Sequence, residues 1–286
     1  MNVGMTQLKI AKSHRCFGGE MRFYTHESKE TSTLMRFGIY LPPNALAGAK
    51  CPVVYFLSGL TCTDENFSVK SGFQKYASEL GLVVVAPDTS PRGAAVEGED
   101  ASWDFGSGAG FYVDAVEPKW AKNYRMYSYC SAELPTLIRE NFPVISDRQS
   151  IMGHSMGGHG ALVIGLKNQN TFRSISAFSP ICAPSHCPWG EKAFSGYLGR
   201  DRTLWAQYDA VELIKARKNS IPILIDQGSS DEFLTVQLKP QLFLDACKQV
   251  DLPVELNIRD GYDHSYFFIS TFIGDNLKFN WKYLNV

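Results

Sequence analysis

The segment Ile151-Met-Gly-His-Ser155-Met-Gly-Gly-His-Gly-Ala-Leu162 offers one hydroxyl, that of Ser155, in a setting that suits a nucleophile. Gly153-His154-Ser155-Met156-Gly157 fits the pattern G-x-S-x-G, in which a strand turns sharply into a helix with the serine at the apex. Small flanking residues let the chain pass closely, and the strained turn pushes the hydroxyl outward. The N–H of Met156, at the start of the helix, then points at the space where an oxyanion would form. The same pattern also arises as a glycine-rich helix start that merely packs tightly. What decides between the two is whether a base and an orienting acid accompany the serine, because a hydroxyl alone is a poor nucleophile.

Both are present downstream, in the order Ser, Asp, His. His264 lies in Asp260-Gly-Tyr-Asp-His264-Ser-Tyr, a turn after the last expected strand, where a loop can deliver a base. The stretch Ile221-Pro-Ile-Leu-Ile-Asp226-Gln-Gly-Ser-Ser-Asp231-Glu-Phe-Leu holds two candidate acids. Asp231 is the expected one, since Gly228-Ser229-Ser230 supplies the loop a carboxylate needs to reach the imidazole. Asp226, at the strand end, is the alternative, and otherwise holds the loop or pairs locally. A second oxyanion donor is expected from Leu57-Ser-Gly59-Leu60-Thr-Cys62-Thr, where Gly59 allows a turn that presents the N–H of Leu60 opposite that of Met156. Each such donor is worth about 3 kcal/mol in the transition state.

The other histidines carry no carboxylate arranged to orient them. His154 and His159 flank the nucleophile, but a neighbour on the elbow is expected to point away from the hydroxyl or into the helix packing. Cys16, Cys51, Cys62, Cys130, Cys182, Cys187 and Cys247 lack the paired spacings of a disulfide framework or a zinc site, which favours a reducing, cytoplasmic address. Cys182, His186 and Cys187 come nearest to a ligand cluster, yet no fourth ligand accompanies them, so no metal and no cofactor is expected. Cys62, two residues beyond Leu60, is a candidate regulatory thiol whose modification would crowd the site; the alternative is a small buried hydrophobe.

These residues need a scaffold that brings strand ends together. Short apolar, β-branched runs alternate with amphipathic stretches, as in helices packed on a mostly parallel sheet. Strands are predicted at Leu34–Leu41, Val53–Leu57, Leu82–Ala86, Ser150–Gly153, Ser174–Phe178, Ile221–Asp226 and Val254–Arg259, with outer strands around His14 and His26. Helices are predicted at Ser71–Leu80, Ser131–Asn141, Met156–Leu166, Val236–Val250 and Tyr266–Leu277, with Pro135 marking a start or kink. Together with the elbow, this order gives an α/β-hydrolase fold: a mostly parallel central sheet with helices on both faces, one domain over residues 1–286. The long stretch Asp88–Asp114, rich in Gly, Pro and aromatics, is read as a functional loop. Within it, Trp103 and Phe105 are candidates to wall a small acyl pocket, or simply to cover the core.

The 286 residues suffice for one large core, and the formal net charge of -1 gives no electrostatic case for nucleic acid. The apolar runs are too short to span a bilayer, and Met1–Ala11 is polar and mixed, so neither a membrane anchor nor a signal peptide is expected.

Leu57-Ser-Gly-Leu-Thr-Cys-Thr, Gly153-His-Ser-Met-Gly-Gly-His-Gly-Ala-Leu, Asp226-Gln-Gly-Ser-Ser-Asp and Gly261-Tyr-Asp-His-Ser-Tyr-Phe-Phe-Ile resemble the S-formylglutathione hydrolase (esterase D) family. So do Ser102-Trp-Asp-Phe-Gly-Ser-Gly-Ala-Gly-Phe-Tyr112 and Ser128-Tyr-Cys-Ser-Ala-Glu-Leu-Pro135, and the likeness spans nearly the whole chain. The resemblance implies a serine hydrolase with Ser155 as nucleophile, Asp231 as acid and His264 as base. It implies a small-molecule substrate, S-formylglutathione, cleaved to glutathione and formate in formaldehyde detoxification, with side activity on short-chain esters. It also implies a homodimer. The rival readings are a general short-chain carboxylesterase or acyltransferase on the same scaffold, and a binding protein without chemistry, which an intact triad disfavours.

Overall fold

Nine strands pair into one sheet in the computed structural model, which describes residues 7–216 and 221–285. In chain order they are β1 (Lys9–Cys16), β2 (Gly19–Glu27), β3 (Leu34–Leu41), β4 (Cys51–Leu57), β5 (Val83–Pro87), β6 (Val144–His154), β7 (Phe172–Phe178), β8 (Ile223–Gly228) and β9 (Glu255–Arg259). The spatial order is β1-β2-β3-β5-β4-β6-β7-β8-β9. The pairs β1/β2, β2/β3 and β3/β5 are antiparallel, and every pair from β5 to β9 is parallel. This is the α/β-hydrolase fold, and the start of the N-terminal segment Met1–Ala11, residues 1–6, lies outside the described residues.

The apolar runs read as strands because parallel strands are covered on both faces. In β4, Val53, Tyr55 and Leu57 enter one core while Val54 and Phe56 enter the other. Helices Leu134–Asn141 and Met156–Lys167 close the first core, and Asp64–Lys70, Phe73–Leu80 and Tyr266–Leu284 close the second. Helices therefore lie on both sheet faces. Among the described residues, no helix is long and apolar enough to cross a membrane.

Two differences from the sequence reading have local causes. β6 begins at Val144 rather than Ser150, because Ile145, Ser146, Asp147 and Arg148 are partly or fully exposed and carry no core pattern. The helix expected from Ser131 is a π-helical turn, Tyr129–Glu133, that passes into a regular helix at Leu134, with Pro135 in the first turn, where its missing N–H costs nothing.

The order β5-β4-β6 makes β4 and β6 neighbours although the chain visits β5 between them. Such a reversal opens a crevice beyond the carboxyl ends of the strands. Leu57 pairs with Gly153 across that junction, so the loop carrying Leu60 and the turn carrying Ser155 leave the sheet side by side.

Candidate active site

Ser155 follows the last residue of β6 and precedes the helix Met156–Lys167, with φ 58° and ψ -119°. A side chain other than glycine is strained there, and strain of this kind collects at functional sites. The surroundings over-determine it. The Ser155 N–H donates to Phe178 O on β7 at 3.0 Å, and the Ser155 carbonyl accepts from His159 N at 3.0 Å and Ile181 N at 3.2 Å. The flanking glycines are required by contact: a Cβ on Gly157 would lie 2.0 Å from Leu57 O, and one on Gly153 2.1 Å from Gly157 O. Met156 is the first helical residue, so its N–H has no partner within the helix.

Asp231 stands in the loop after β8 and His264 in the loop after β9, and adjacent parallel strands bring the two loops together. His264 Nδ1 donates to Asp231 Oδ2 at 2.6 Å, leaving Nε2 for the substrate side. The Asp231 carboxylate also accepts from Phe233 N at 2.9 Å and Gln227 Nε2 at 3.3 Å. Burial works to raise its pKa, but the hydrogen bond and charge of His264, aided by the Phe233 N–H, outweigh it and hold the carboxyl below the usual range. Asp226 is oriented elsewhere: its carboxylate accepts from Arg259 Nε and from Asn276 Nδ2, each at 2.6 Å. Burial pushes its pKa up against those two partners. The period of a strand explains the division of labour, since Asp226 and its neighbour Gln227 point to opposite faces.

The loop carrying Leu60 is held from the long segment expected after β5. Thr61 N donates to Gly108 O at 2.9 Å, and Cys62 O accepts from Thr89 Oγ1 at 2.6 Å and Arg92 Nη2 at 3.1 Å. Arg92 is in turn paired with Asp88 at 2.9 Å, and Tyr112 Oη donates to Ser58 O at 2.8 Å. The segment Asp88–Asp114 thus braces the strand-end loop through its backbone.

Leu60, Ser155 and His264 line one cavity together with Gly59, Cys62, Trp103, His154, Trp189, Phe233, Ser265 and Tyr266. Trp103 is 58% exposed and meets Trp189 edge to face at 5.9 Å, so it rims the cavity and does not cover the core. Phe105 is a correction to the expected pocket wall. Its ring stacks on Tyr197 at 4.4 Å and abuts Trp120 at 5.0 Å, because the backbone beside Gly196 leaves room for it in the core.

His154 also departs from expectation, since its buried ring faces the cavity and lies 4.5 Å from the His264 ring. Burial, with His264 close by, pushes its pKa well below the usual imidazole value. His159 packs under the elbow helix and pairs through Nε2 with Phe111 O at 2.9 Å. All seven cysteines are free thiols, and among the described residues no three His, Cys, Asp or Glu side chains converge as metal ligands. Gln227, Phe233, Trp189 and Tyr266 were not singled out in the sequence. Their nearness to the motifs was the available signal.

Residues 28–279 match the family model described as "Putative esterase". The chain is 59% identical to the S-formylglutathione hydrolase of Mus musculus over 280 residues, covering 97% of this chain and 99% of that one. It is 53% identical to the S-formylglutathione hydrolase of Arabidopsis thaliana, covering 93% of this chain and 94% of the other. Among solved structures it is similar to an S-formylglutathione hydrolase from Agrobacterium tumefaciens, with a TM-score of 0.94, 49% identity, and coverage of 96% of this chain and 99% of that chain.

Proposed function

The chain belongs to the S-formylglutathione hydrolase family of esterases, and from that membership and the site geometry we propose that Ser155, His264 and Asp231 carry out the hydrolysis. The enzyme cleaves S-formylglutathione to glutathione and formate and takes short-chain esters as side substrates. The observation that carries the mechanism is the 2.6 Å bond from His264 to Asp231 in a cavity that Ser155 and Leu60 also line.

His264 Nε2 takes the hydroxyl proton as Ser155 Oγ attacks the formyl carbon, and Asp231 holds the imidazole tautomer and stabilises the imidazolium. The N–H groups of Leu60 and Met156 receive the oxyanion. Collapse breaks the C–S bond, and the departing sulfur, a better leaving group than an alkoxide, takes the proton from His264 and leaves as glutathione. Water then attacks the formyl–Ser155 ester, giving its proton to His264, and formate departs as the proton returns to Ser155. Equimolar appearance of free thiol and formate from S-formylglutathione tests the reaction, and thiol release without formate would point to transfer of the acyl group to another acceptor.

Trp103 is assigned to the wall that keeps the acyl site small. Trp103→Ala is expected to raise the butyrate-to-acetate ratio of kcat/KM on p-nitrophenyl esters at least about threefold, since one methylene in an apolar pocket is worth about tenfold or more. An unchanged ratio removes Trp103 from that role.

Cys62 is assigned as the thiol through which an alkylating or oxidising agent blocks the site. Burial raises its pKa, so it reacts slowly at neutral pH. Cys62→Ser is expected to keep most activity and to lose the slow inactivation by iodoacetamide; a variant inactivated as fast as the parent contradicts the assignment. The free thiols fit a cytoplasmic enzyme, and the family resemblance favours a homodimer, which sedimentation would reveal as twice the 31.9 kDa chain mass.

A further inference from the structure

His154 sits beside the nucleophile, yet the reaction gives it no step. It is only 6% exposed, and its ring is in hydrogen-bond contact with the His264 backbone.

The ring meets the machinery at two places. The His154 and His264 rings are 4.5 Å apart at 43°, within the range of favourable aromatic pairs. The ring also abuts the loop carrying Leu60: a Cβ on Gly59 would lie 3.3 Å from Nδ1. His264 has a second ring neighbour, Phe233, at 5.0 Å and 80°, and the Phe233 N–H also donates to Asp231. The bond to Asp231 fixes one nitrogen of His264 but leaves the imidazole free to swing about that bond. Contact with the two rings, His154 and Phe233, limits this freedom.

We propose that His154 is a positioning residue: its ring, packed against Gly59 and His264, holds the base in the plane from which Nε2 reaches Ser155. The proposal rests on His264 being the base, and the test separates the two claims. With p-nitrophenyl acetate as probe, which makes the result independent of the natural thioester, His154→Ala is expected to lower kcat about ten- to hundredfold, the loss that a misplacement of about an ångström brings. KM is expected to stay within about twofold, because substrate binding uses other walls. His154→Phe, which restores a ring, is expected to recover most of that kcat, whereas His154→Gln, which keeps bulk and polarity without a ring, is not.

A merely structural His154 would lower the melting temperature of the variants without this ordering in kcat. If His154→Ala fails to fold, the Phe and Gln variants are compared directly, and equal kcat values for them overturn the proposal. So does a His154→Ala enzyme with parental kcat. His264→Ala is assayed alongside: if it retains activity, the base assignment itself fails, whereas an inactive His264→Ala beside a fully active His154→Ala rejects the positioning role alone.

Discussion

Ser155→Ala is expected to lower kcat by about 10⁴- to 10⁶-fold on both S-formylglutathione and p-nitrophenyl acetate, with the protein still folded. The fold should survive because alanine meets the same backbone strain at φ 58° that serine does, and the bonds from Ser155 N to Phe178 O and to the Ser155 carbonyl involve only backbone. Only the hydroxyl is removed. Residual turnover would come from the proposed oxyanion donors, the N–H groups of Leu60 and Met156, polarising a carbonyl for attack by water. Steady-state rates beside a thermal melt check the expectation. A folded variant with more than about a hundredth of parental kcat would remove Ser155 as nucleophile.

The two aspartates of the β8 region should separate cleanly, one in rate and the other in stability. Asp231→Ala is expected to lose about 10³- to 10⁴-fold in kcat with little change in melting temperature, because it leaves His264 without the partner that sets its tautomer. Asp226→Ala is expected to keep kcat within about tenfold but to lose about 3–5 kcal/mol of stability. The Asp226 carboxylate is wholly buried, and its removal leaves the partly buried guanidinium of Arg259 without its ion pair and takes from the Asn276 amide the shorter of its two bonds, where β8, β9 and the C-terminal helix meet. Because burial raises the Asp226 pKa, that group binds a proton more readily in the folded chain than in the unfolded one. The neutral Asp226→Asn should therefore be less harmful than the alanine variant. Comparable losses of kcat in Asp226→Ala and Asp231→Ala would contradict this division.

The sequence was most legible where one physical rule acts alone. β3 has the bounds its apolar pattern predicts, and the parallel strands were found because cover on both faces makes them continuous apolar runs. The helix Asp64–Lys70 falls where no helix is predicted, although the sequence carries its capping box: Thr63 caps it, and Asn66 reaches back to the Thr63 N–H at 2.8 Å. Pro188–Leu198 was missed for a different reason. Its buried residues Trp189, Gly190, Ala193, Phe194, Tyr197 and Leu198 do fall on one face at helical spacing, but Gly190 and Gly196 interrupt the pattern with residues that disfavour a helix. At the site, the strand-to-helix turn and the loops after β8 and β9 follow from topology and were readable as such. Phe105 and His154 were not, because which way a loop ring or an elbow neighbour turns depends on long-range packing, against Tyr197 in one case and against His264 in the other.

The most direct test of the central claim is the ratio of kcat/KM for S-formylglutathione to that for p-nitrophenyl acetate, measured on the same preparation. A site that accepts the smallest acyl group on a thiol leaving group should favour the formyl thioester by a hundredfold or more, about 2.7 kcal/mol in transition-state binding. A ratio near one would contradict that account and describe a general short-chain esterase built on the same scaffold.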